Sequence, residues 1–226
     1  MFTKNLICST VLVAGGLLTQ MSAMAAPFVL DFEGAGNFAN INDFYNGGTD
    51  SYGNSGVDYG IQFSFHAVSL IDVDAIDEDA GVGGNFANEP TPDTIMFFLT
   101  GTAILNFAPG FDTGFSFFYS SSTAATVNVY DGLNGTGNLI GSLDLAAQYT
   151  ENCTGDPNGL FCNWTAIGVA FAGTAKSIDF GGTVDQTGYD DITFGSVDPG
   201  EVPEPASLAL LGLGLAGFSF LRRRKT

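Results

Sequence analysis

Clustered carboxylates are the side chains of this sequence with the clearest capacity for chemistry. The segment from residue 72 to 79 carries five acids in eight positions, and its candidate metal ligands are Asp72, Asp74, Asp77 and Asp79. The first two share one face of an extended segment, and the last two could close around a hard cation. The segment lacks the glycine and the terminal glutamate of an EF-hand loop. It is therefore predicted to be either a calcium site or a solvated acidic loop.

A second set of acids lies near the two ends of residues 26–195. Asp31 and Glu33 share one face of a predicted strand, and Asp190 and Asp191 belong to another. The stretch 188–195 resembles the closing strand of calcium-stapled jelly rolls of the carbohydrate-binding-module kind. Such domains bring an acid of the first strand near one of the last. The resemblance implies a Ca²⁺ site formed by these four residues.

Catalytic arrangements have less support from the residue types. The chain has a single histidine, His66, and no G-x-S-x-G motif, so a serine-type triad is disfavoured. Hydrolysis of a glycosidic bond needs two carboxyls held about 5 to 10 Å apart in a cleft. Acids are so common here that nothing marks one pair as special. We therefore predict no catalytic residues.

Cys153 and Cys162 are the cysteines that remain once the N-terminal leader is set aside. They flank a turn-rich loop, and an isolated pair of this kind in an exported protein predicts a disulfide. A zinc site would need two further ligands, and a reactive thiol would need a basic group nearby. Closing a loop of this size stabilises the fold by about 2–3 kcal/mol.

Short β-strands are the elements that must position all of these residues. Runs of β-branched and aromatic residues alternate with Gly, Asn, Asp and Ser clusters, without a long helical periodicity. The pairs Asp131-Gly132 and Asn134-Gly135 predict a hairpin. Strands are predicted near residues 28–33, 59–71, 94–99, 103–107, 113–121, 125–130, 138–145, 165–171, 176–180 and 190–194. The fold class is therefore all-β: an antiparallel, jelly-roll-like β-sandwich over residues 26–195.

Two local patterns give narrower expectations. In the run 59–71, Ile61, Phe63, Phe65 and Ala67 share one face and are expected to point into the core. The pentapeptide Gly-Asn-Phe-Ala-Asn stands at 36–40 and again at 84–88. It is either a duplicated loop with a contact role or a chance similarity in a Gly/Asn-rich chain.

Charge narrows the range of partners. Residues 26–200 carry one base, Lys176, against 22 acids, which gives a net charge of −21. A surface with one cation cannot release the counterions of a phosphate backbone, so nucleic acid is excluded as a partner. An anionic membrane surface is disfavoured for the same reason.

Both ends of the chain have the features of sorting signals. Residues 1–25 combine Lys4, an apolar run and small residues before the cleavage point, which predicts a secretory signal peptide. Towards the other end, residues 196–205 form a proline-containing stalk and residues 206–221 a hydrophobic transmembrane helix that is short for a bilayer. Residues 222–226 form a basic tail that the positive-inside rule keeps in the cytoplasm.

The order of these C-terminal features resembles the PEP-CTERM sorting signal. The residues that carry the resemblance are Val202, Pro203, Glu204, Pro205, Arg222, Arg223 and Arg224. It implies recognition and processing of the tail by exosortase, a membrane-embedded enzyme of Gram-negative bacteria that make exopolysaccharide. The protein is then expected to be anchored transiently in the inner membrane and to end at the cell surface or outside the cell.

These features favour a non-enzymatic function. We expect a structural or adhesive protein of the cell envelope or extracellular matrix, associated with exopolysaccharide. The alternative is a carbohydrate-binding module with a calcium-supported sugar site, which needs exposed aromatics such as Tyr45, Tyr52 or Trp164 on one face or loop edge. A jelly-roll glycosidase or lyase is a third reading, and it needs a deep cleft with two facing carboxyls.

Overall fold

The computed structural model of the protein describes residues 27–72, 84–148 and 161–200. Its regular elements in these ranges are strands: β1 (Phe28–Leu30), β2 (Ile61–Phe63), β3 (Val68–Ile71), β4 (Thr94–Phe97), β5 (Ala103–Phe111), β6 (Gly114–Ser121), β7 (Ala125–Tyr130), β8 (Leu139–Leu145), β9 (Thr165–Ala170), β10 (Ala175–Phe180) and β11 (Thr187–Phe194). Within the same ranges there is no helix of the length and apolarity that a membrane crossing requires.

The strands form two antiparallel sheets. The front sheet has the order β3-β4-β11-β6-β9, and β1 also pairs with β11. The back sheet has the order β2-β5-β10-β7-β8. Strands that are neighbours in a sheet are mostly distant in sequence, as in Greek-key connections. The predicted all-β sandwich is confirmed.

Aromatic side chains fill the space between the sheets. Phe117 of β6 lies 5.8 Å from the Phe180 ring of β10 and 5.5 Å from the Tyr189 ring of β11. β7 shows the alternation expected of a strand with one buried face, because Ala125, Val127 and Val129 are buried and the residues between them are not. Each buried ring removes a large apolar area from water, so this layer is the main source of stability.

Three strands of the front sheet, β3, β4 and β11, are buried on both faces. Every residue of β11 is buried, which one core face alone does not explain. On the outer face, Phe86 and Phe161 stack at 4.7 Å and pack with Ile95 and Phe97 in a second apolar cluster. The repeated pentapeptide borders this cluster in both copies: Phe38 of the first copy lies against Phe97, and Phe86 belongs to the second.

The run 59–71 differs from its prediction. It is divided into β2 of the back sheet and β3 of the front sheet, with a turn at 64–67 in which the Ala67 N–H donates to the Ser64 carbonyl. Ser64 Oγ also accepts the Ile104 N–H and fixes the corner against β5. The expectation that Phe65 points into the core was therefore wrong, and its side chain is 69% exposed. Alternation predicts a face only while the chain stays in one sheet.

The predicted hairpin at 131–135 is confirmed by the pairing of β7 with β8. Asn134 and Gly135 both have positive φ, at 57° and 66°, as the residue types suggested. Asp131 holds the loop by accepting the Asn138 N–H at 2.7 Å. The residue types of this turn therefore determine how β7 connects to β8 in the back sheet.

The contrast between Phe117 and Phe65 gives a stability test. Phe117→Ala should lower the free energy of unfolding by about 3–5 kcal/mol, because it leaves a cavity between the sheets. Phe65→Ala, at an exposed site, should change it by less than about 0.5 kcal/mol. Urea unfolding followed by fluorescence measures both. Similar losses for the two variants would contradict the corner at 64–67.

Candidate functional site

The pairing of the first and last strands brings the acids of the second predicted set together. In the β1–β11 register, Phe28 lies opposite Phe194 and Leu30 opposite Ile192. Asp31 directly follows the last of these pairs and lies close enough to Asp191 to repel it. We call the acids around this point, Asp31, Glu33, Glu89, Asp93, Asp190 and Asp191, the acidic cluster.

A β-bulge in β11 sets the direction of its two acids. The register with β6 shifts between Asp190 and Thr193, and Asp191 has a φ of 50°. The extra residue lets Tyr189 and Ile192 both face the core although they are three positions apart. Aspartate adopts positive φ more readily than most residues other than glycine, so Asp191 suits the bulge.

The loop before β4 covers these acids with hydrogen bonds. The Thr91 N–H donates to Asp190 Oδ2 at 3.1 Å, and the Thr91 hydroxyl lies 3.0 Å from the same oxygen and 3.4 Å from Asp191 Oδ1. The Asp191 N–H donates to Asp190 Oδ1 at 2.7 Å. Asp190 is fully buried as a result. Sequence reasoning missed Thr91, because a threonine in a loop carries no signal of a contact about a hundred residues away.

Glu33 connects the cluster to the same loop. Its Oε1 accepts the Thr94 N–H at 2.9 Å, and Glu89 Oε1 accepts the Asp93 N–H at 3.1 Å. The buried Oε2 of Glu89 has no hydrogen-bond partner within the part of the chain that the structure describes. Glu89 and Asp93 were also missed, because only the fold brings them to β1.

Burial makes this an unfavourable place for negative charge. It raises the pKa of Glu33 to about 8, with added repulsion from Asp93, Asp31 and Glu89. It raises the pKa of Asp191 to about 6, again with repulsion from Asp31. It raises the pKa of Asp190 well above its usual range, and the neighbouring Asp191 adds to the shift. Lys176, the one base of residues 26–200, lies on β10 of the back sheet.

The donors of the acidic cluster are carboxylates, and carboxylate oxygens are ligands of hard cations such as Ca²⁺. These carboxylates do not form a complete set of metal ligands in the structure. Within the described ranges, no three His, Cys, Asp or Glu side chains are grouped so that they could hold a metal ion. The structure thus brings Asp31, Glu33, Asp190 and Asp191 near one another without converging three of them on one point, and their role as metal ligands stays a prediction.

The other predicted acid set is mostly outside the described residues. Asp74, Asp77 and Asp79 fall in the gap between 72 and 84. Asp72 itself is only 1% exposed, and its N–H donates to the Asp93 carbonyl at 2.9 Å. Whether this segment binds calcium stays a prediction.

The aromatic candidates for a sugar site are scattered. Tyr45 is in the core, where its hydroxyl accepts the Phe32 N–H at 2.7 Å. Trp164 packs on the outer cluster and donates from Nε1 to the Ala87 carbonyl at 3.1 Å. Tyr52 is exposed, with 65% of its surface accessible to solvent. The three do not form an aromatic strip.

An open pocket of about 280 Å³ lies beside the acidic cluster. Its lining residues are Glu33, Gly34, Ala35, Gly36, Asn54, Ile71, Asp93 and Thr94. Asp50 braces its edge by accepting the N–H groups of Gly36, Tyr52 and Asn54. A β-carbon on Gly36 would lie 2.7 Å from the Tyr52 ring, so the ring rests on this glycine next to the pocket.

Cys162 is disulfide-bonded in the structure. Its predicted partner, Cys153, lies outside the described residues, so the Cys153–Cys162 pairing stays a prediction. The leader and the C-terminal residues from 201 onwards also lie outside them.

Comparison with known proteins identifies the C-terminal tail. Residues 201–225 match the PEP-CTERM protein-sorting motif. The resemblance seen in the sequence is confirmed: the chain is an exported protein that exosortase processes, and it is anchored in the membrane before that step. The motif covers the tail alone and does not describe the sandwich.

For the sandwich, no curated protein matches significantly. Among solved structures, the domain is similar to a glycoside hydrolase family 43 arabinoxylan arabinofuranohydrolase from Bacillus subtilis in complex with cellotetraose. The identity is 15% and the TM-score 0.34, over 65% of this chain and 30% of the enzyme.

The buried acids predict an unusual pH dependence when divalent cations are chelated. Between about pH 4.5 and 8 the folded state keeps a proton on Glu33 that the unfolded chain has lost. The folded state then binds more protons, so the free energy of unfolding falls as the pH rises through this window. Denaturant titrations in EDTA at several pH values measure the slope. Glu33→Gln should reduce it, and the part that remains belongs to Asp190 and Asp191, whose pKa values are also raised.

Asp112→Asn is the matched control, because it removes an exposed acid outside the cluster. It should keep the slope of the parent protein. Stability that rises from pH 4.5 to 8 in the parent would contradict the burial of protonated carboxyls at this site.

Proposed function

We propose that the exported domain is a structural or adhesive component of the cell envelope or the extracellular matrix, associated with exopolysaccharide, and that it is not an enzyme. The observation that carries the proposal is the location of the aromatic residues in the fold. In the described ranges most of them build the layer between the sheets and the cover of the front sheet, and such burial favours a structural role. The sorting motif supports the location, because it directs an exported chain to exosortase at the membrane.

The acidic cluster supports a second part of the proposal, which is that the exported domain takes up Ca²⁺. Asp31, Glu33 and Asp191 would hold the ion, and Asp190 and Thr91 would orient them. Two or three carboxylates can suffice because Ca²⁺ also accepts backbone carbonyls and water among its six to eight ligands. Asp31 and Glu33 are half-buried, and Glu33 lines the open pocket. Bound calcium would supply the positive charge that the domain itself lacks.

A carbohydrate-binding module remains the second candidate, and one observation favours it. The pocket beside Glu33 joins carboxyl and amide groups to the exposed ring of Tyr52, and sugars are bound by this combination of hydrogen-bonding groups and an aromatic face. The hydrogen bonds to Asp50 hold the loop in place before any ligand arrives, which lowers the entropy lost on binding.

Calcium is tested by thermal unfolding. In 0.15 M sodium chloride, millimolar Ca²⁺ should raise the Tm more than Mg²⁺ does, because clustered carboxylates on loops suit the larger ion. An ion present at a hundredfold excess over its Kd stabilises the fold by about 2.7 kcal/mol. Glu33→Gln combined with Asp191→Asn should abolish the difference between the ions.

The matched control is Asp74→Asn combined with Asp77→Asn, which removes the same charge from the other acid set. It should leave the calcium effect intact. If this pair abolishes the effect and the first pair does not, the ion binds at residues 72–79. Equal shifts from the two ions would leave the cluster without a specific cation.

Association with polysaccharide is tested on processed protein purified from culture. It should co-sediment with exopolysaccharide isolated from the producing cells and release no reducing ends from it. Tyr52→Ala should change the bound fraction by less than twofold if the role is structural, as should Leu139→Ala at another exposed apolar site. A tenfold loss with Tyr52→Ala alone would establish the binding module instead, and released reducing ends would establish an enzyme.

A further inference from the structure

The chain that follows β11 does not leave the domain at once. It continues as residues 195–200, here called the exit segment, which includes the first half of the predicted stalk. The Gly195 N–H donates to the Gly114 carbonyl at 3.1 Å, and the Gly200 N–H donates to Thr193 Oγ1 at 3.0 Å. Between these points, Ser196 Oγ and Asp198 close a tight turn. The exit segment therefore folds back onto the front sheet.

A glycine in β9 makes this return possible. A β-carbon on Gly168 would overlap the Val197 carbonyl oxygen and lie 2.8 Å from its carbonyl carbon. The same carbon would lie 2.9 Å from the Ser116 β-carbon of β6. The atoms of Val197 that approach Gly168 belong to the backbone, so no rotamer change could make room. Glycine at 168 lets the exit segment cross the outer face at van der Waals distance.

The end of the exit segment lies beside the acidic cluster. A β-carbon on Gly200 would be 4.0 Å from Asp191 Oδ2. Thr193 Oγ1, which holds Gly200, also donates to the Asp191 carbonyl at 3.0 Å. The point where the tail departs is thus fixed on the outer face of the front sheet, next to the bulge of β11.

Very little chain then separates this point from the anchor. Five residues, Glu201 to Pro205, lie between Gly200 and the start of the hydrophobic run at Ala206. Even fully extended, the six steps from Gly200 to Ala206 span at most about 22 Å. A domain of this size is about 40 Å across. The tether is therefore too short to let the domain turn its opposite side to the membrane.

We propose that in the tethered precursor the outer face of the front sheet is turned towards the bilayer, and the outer face of the back sheet away from it. The acidic cluster and the pocket beside Glu33 then stand on the membrane side until the tail is cut. Exosortase meets the motif at Pro203 within about 10 Å of Gly200, so it approaches the domain from this face as well. Cleavage frees the domain to present the acidic cluster to the matrix.

The orientation can be measured on the chain from Ala26 onwards in phosphatidylethanolamine/phosphatidylglycerol vesicles without exosortase. Asp198→Cys places a fluorophore on the exit segment, and Ser142→Cys places one on the outward side of β8 in the back sheet, both at exposed positions. With a contact-range quencher on the lipid headgroups, the label at 198 should be quenched severalfold more than the label at 142. Equal quenching, or stronger quenching at 142, would overturn the proposal.

Two variants test the cause. A 20-residue Gly/Ser insertion after Gly200 leaves the folded domain unchanged and should equalise the two labels. Gly168→Val should reduce the difference by displacing the exit segment, with the Tm as the check that the sandwich is intact. A difference that survives the insertion would show that tether length does not set the orientation. Flotation with the vesicles tests the anchor separately, and neither result depends on polysaccharide or calcium binding.

Discussion

The antiparallel pairing of β1 with β11 is the constraint on which the other features depend. It joins the two ends of the folded domain at the middle of the front sheet. It also places Asp31 close to Asp191 and brings the exit segment to the acidic cluster. Without this pairing the acids would belong to separate, solvated chain ends, and the tail would leave from another place.

The scarcity of basic residues shapes the energetics of the whole domain. With one lysine among 22 acids between residues 26 and 200, ion pairs contribute little, and self-repulsion opposes the compact state. The aromatic layer between the sheets must offset that repulsion. At the acidic cluster, burial further raises the free energy of the ionised carboxylates. The pKa values of Glu33 and Asp191 are therefore raised, and both side chains keep their protons to higher pH. A divalent cation would replace those protons with a stronger and more localised positive charge.

The outer cover of the front sheet has a structural consequence for export. A sandwich sheet usually has one face in water, whereas here the 84–91 loop, the Phe161–Trp164 region and the exit segment lie on that face. The contacts of the exit segment hold the chain to the domain as far as Gly200, shortly before the sorting motif. Folding before processing would therefore fix how the substrate is presented to a membrane-embedded enzyme, because a short tether transmits orientation as well as position.

Local patterns in the sequence determined much of the molecule. Strand periodicity located nearly all of the strands in the described ranges, since alternation of apolar and polar residues reflects burial of one face. Glycine and asparagine at 134–135 specified a hairpin because that turn requires positive φ. The sorting motif was readable because it acts as a linear signal. The acids at 31, 33, 190 and 191 were singled out because 31 and 33 share a strand face and because the stretch 188–195 resembles the closing strand of calcium-stapled jelly rolls.

Only the tertiary structure decided where the chain passes from one sheet to the other and which residues cover the outer face of the front sheet. The corner at 64–67 depends on hydrogen bonds from β5 and from loop residues far along the chain, so the sequence of 59–71 taken alone read as one strand. Thr91, Glu89 and Asp93 joined the cluster through contacts of long sequence separation. Gly168 looked like any other strand glycine until the exit segment was placed across it. Such features depend on distances between remote residues, and a one-dimensional pattern contains no information about those distances.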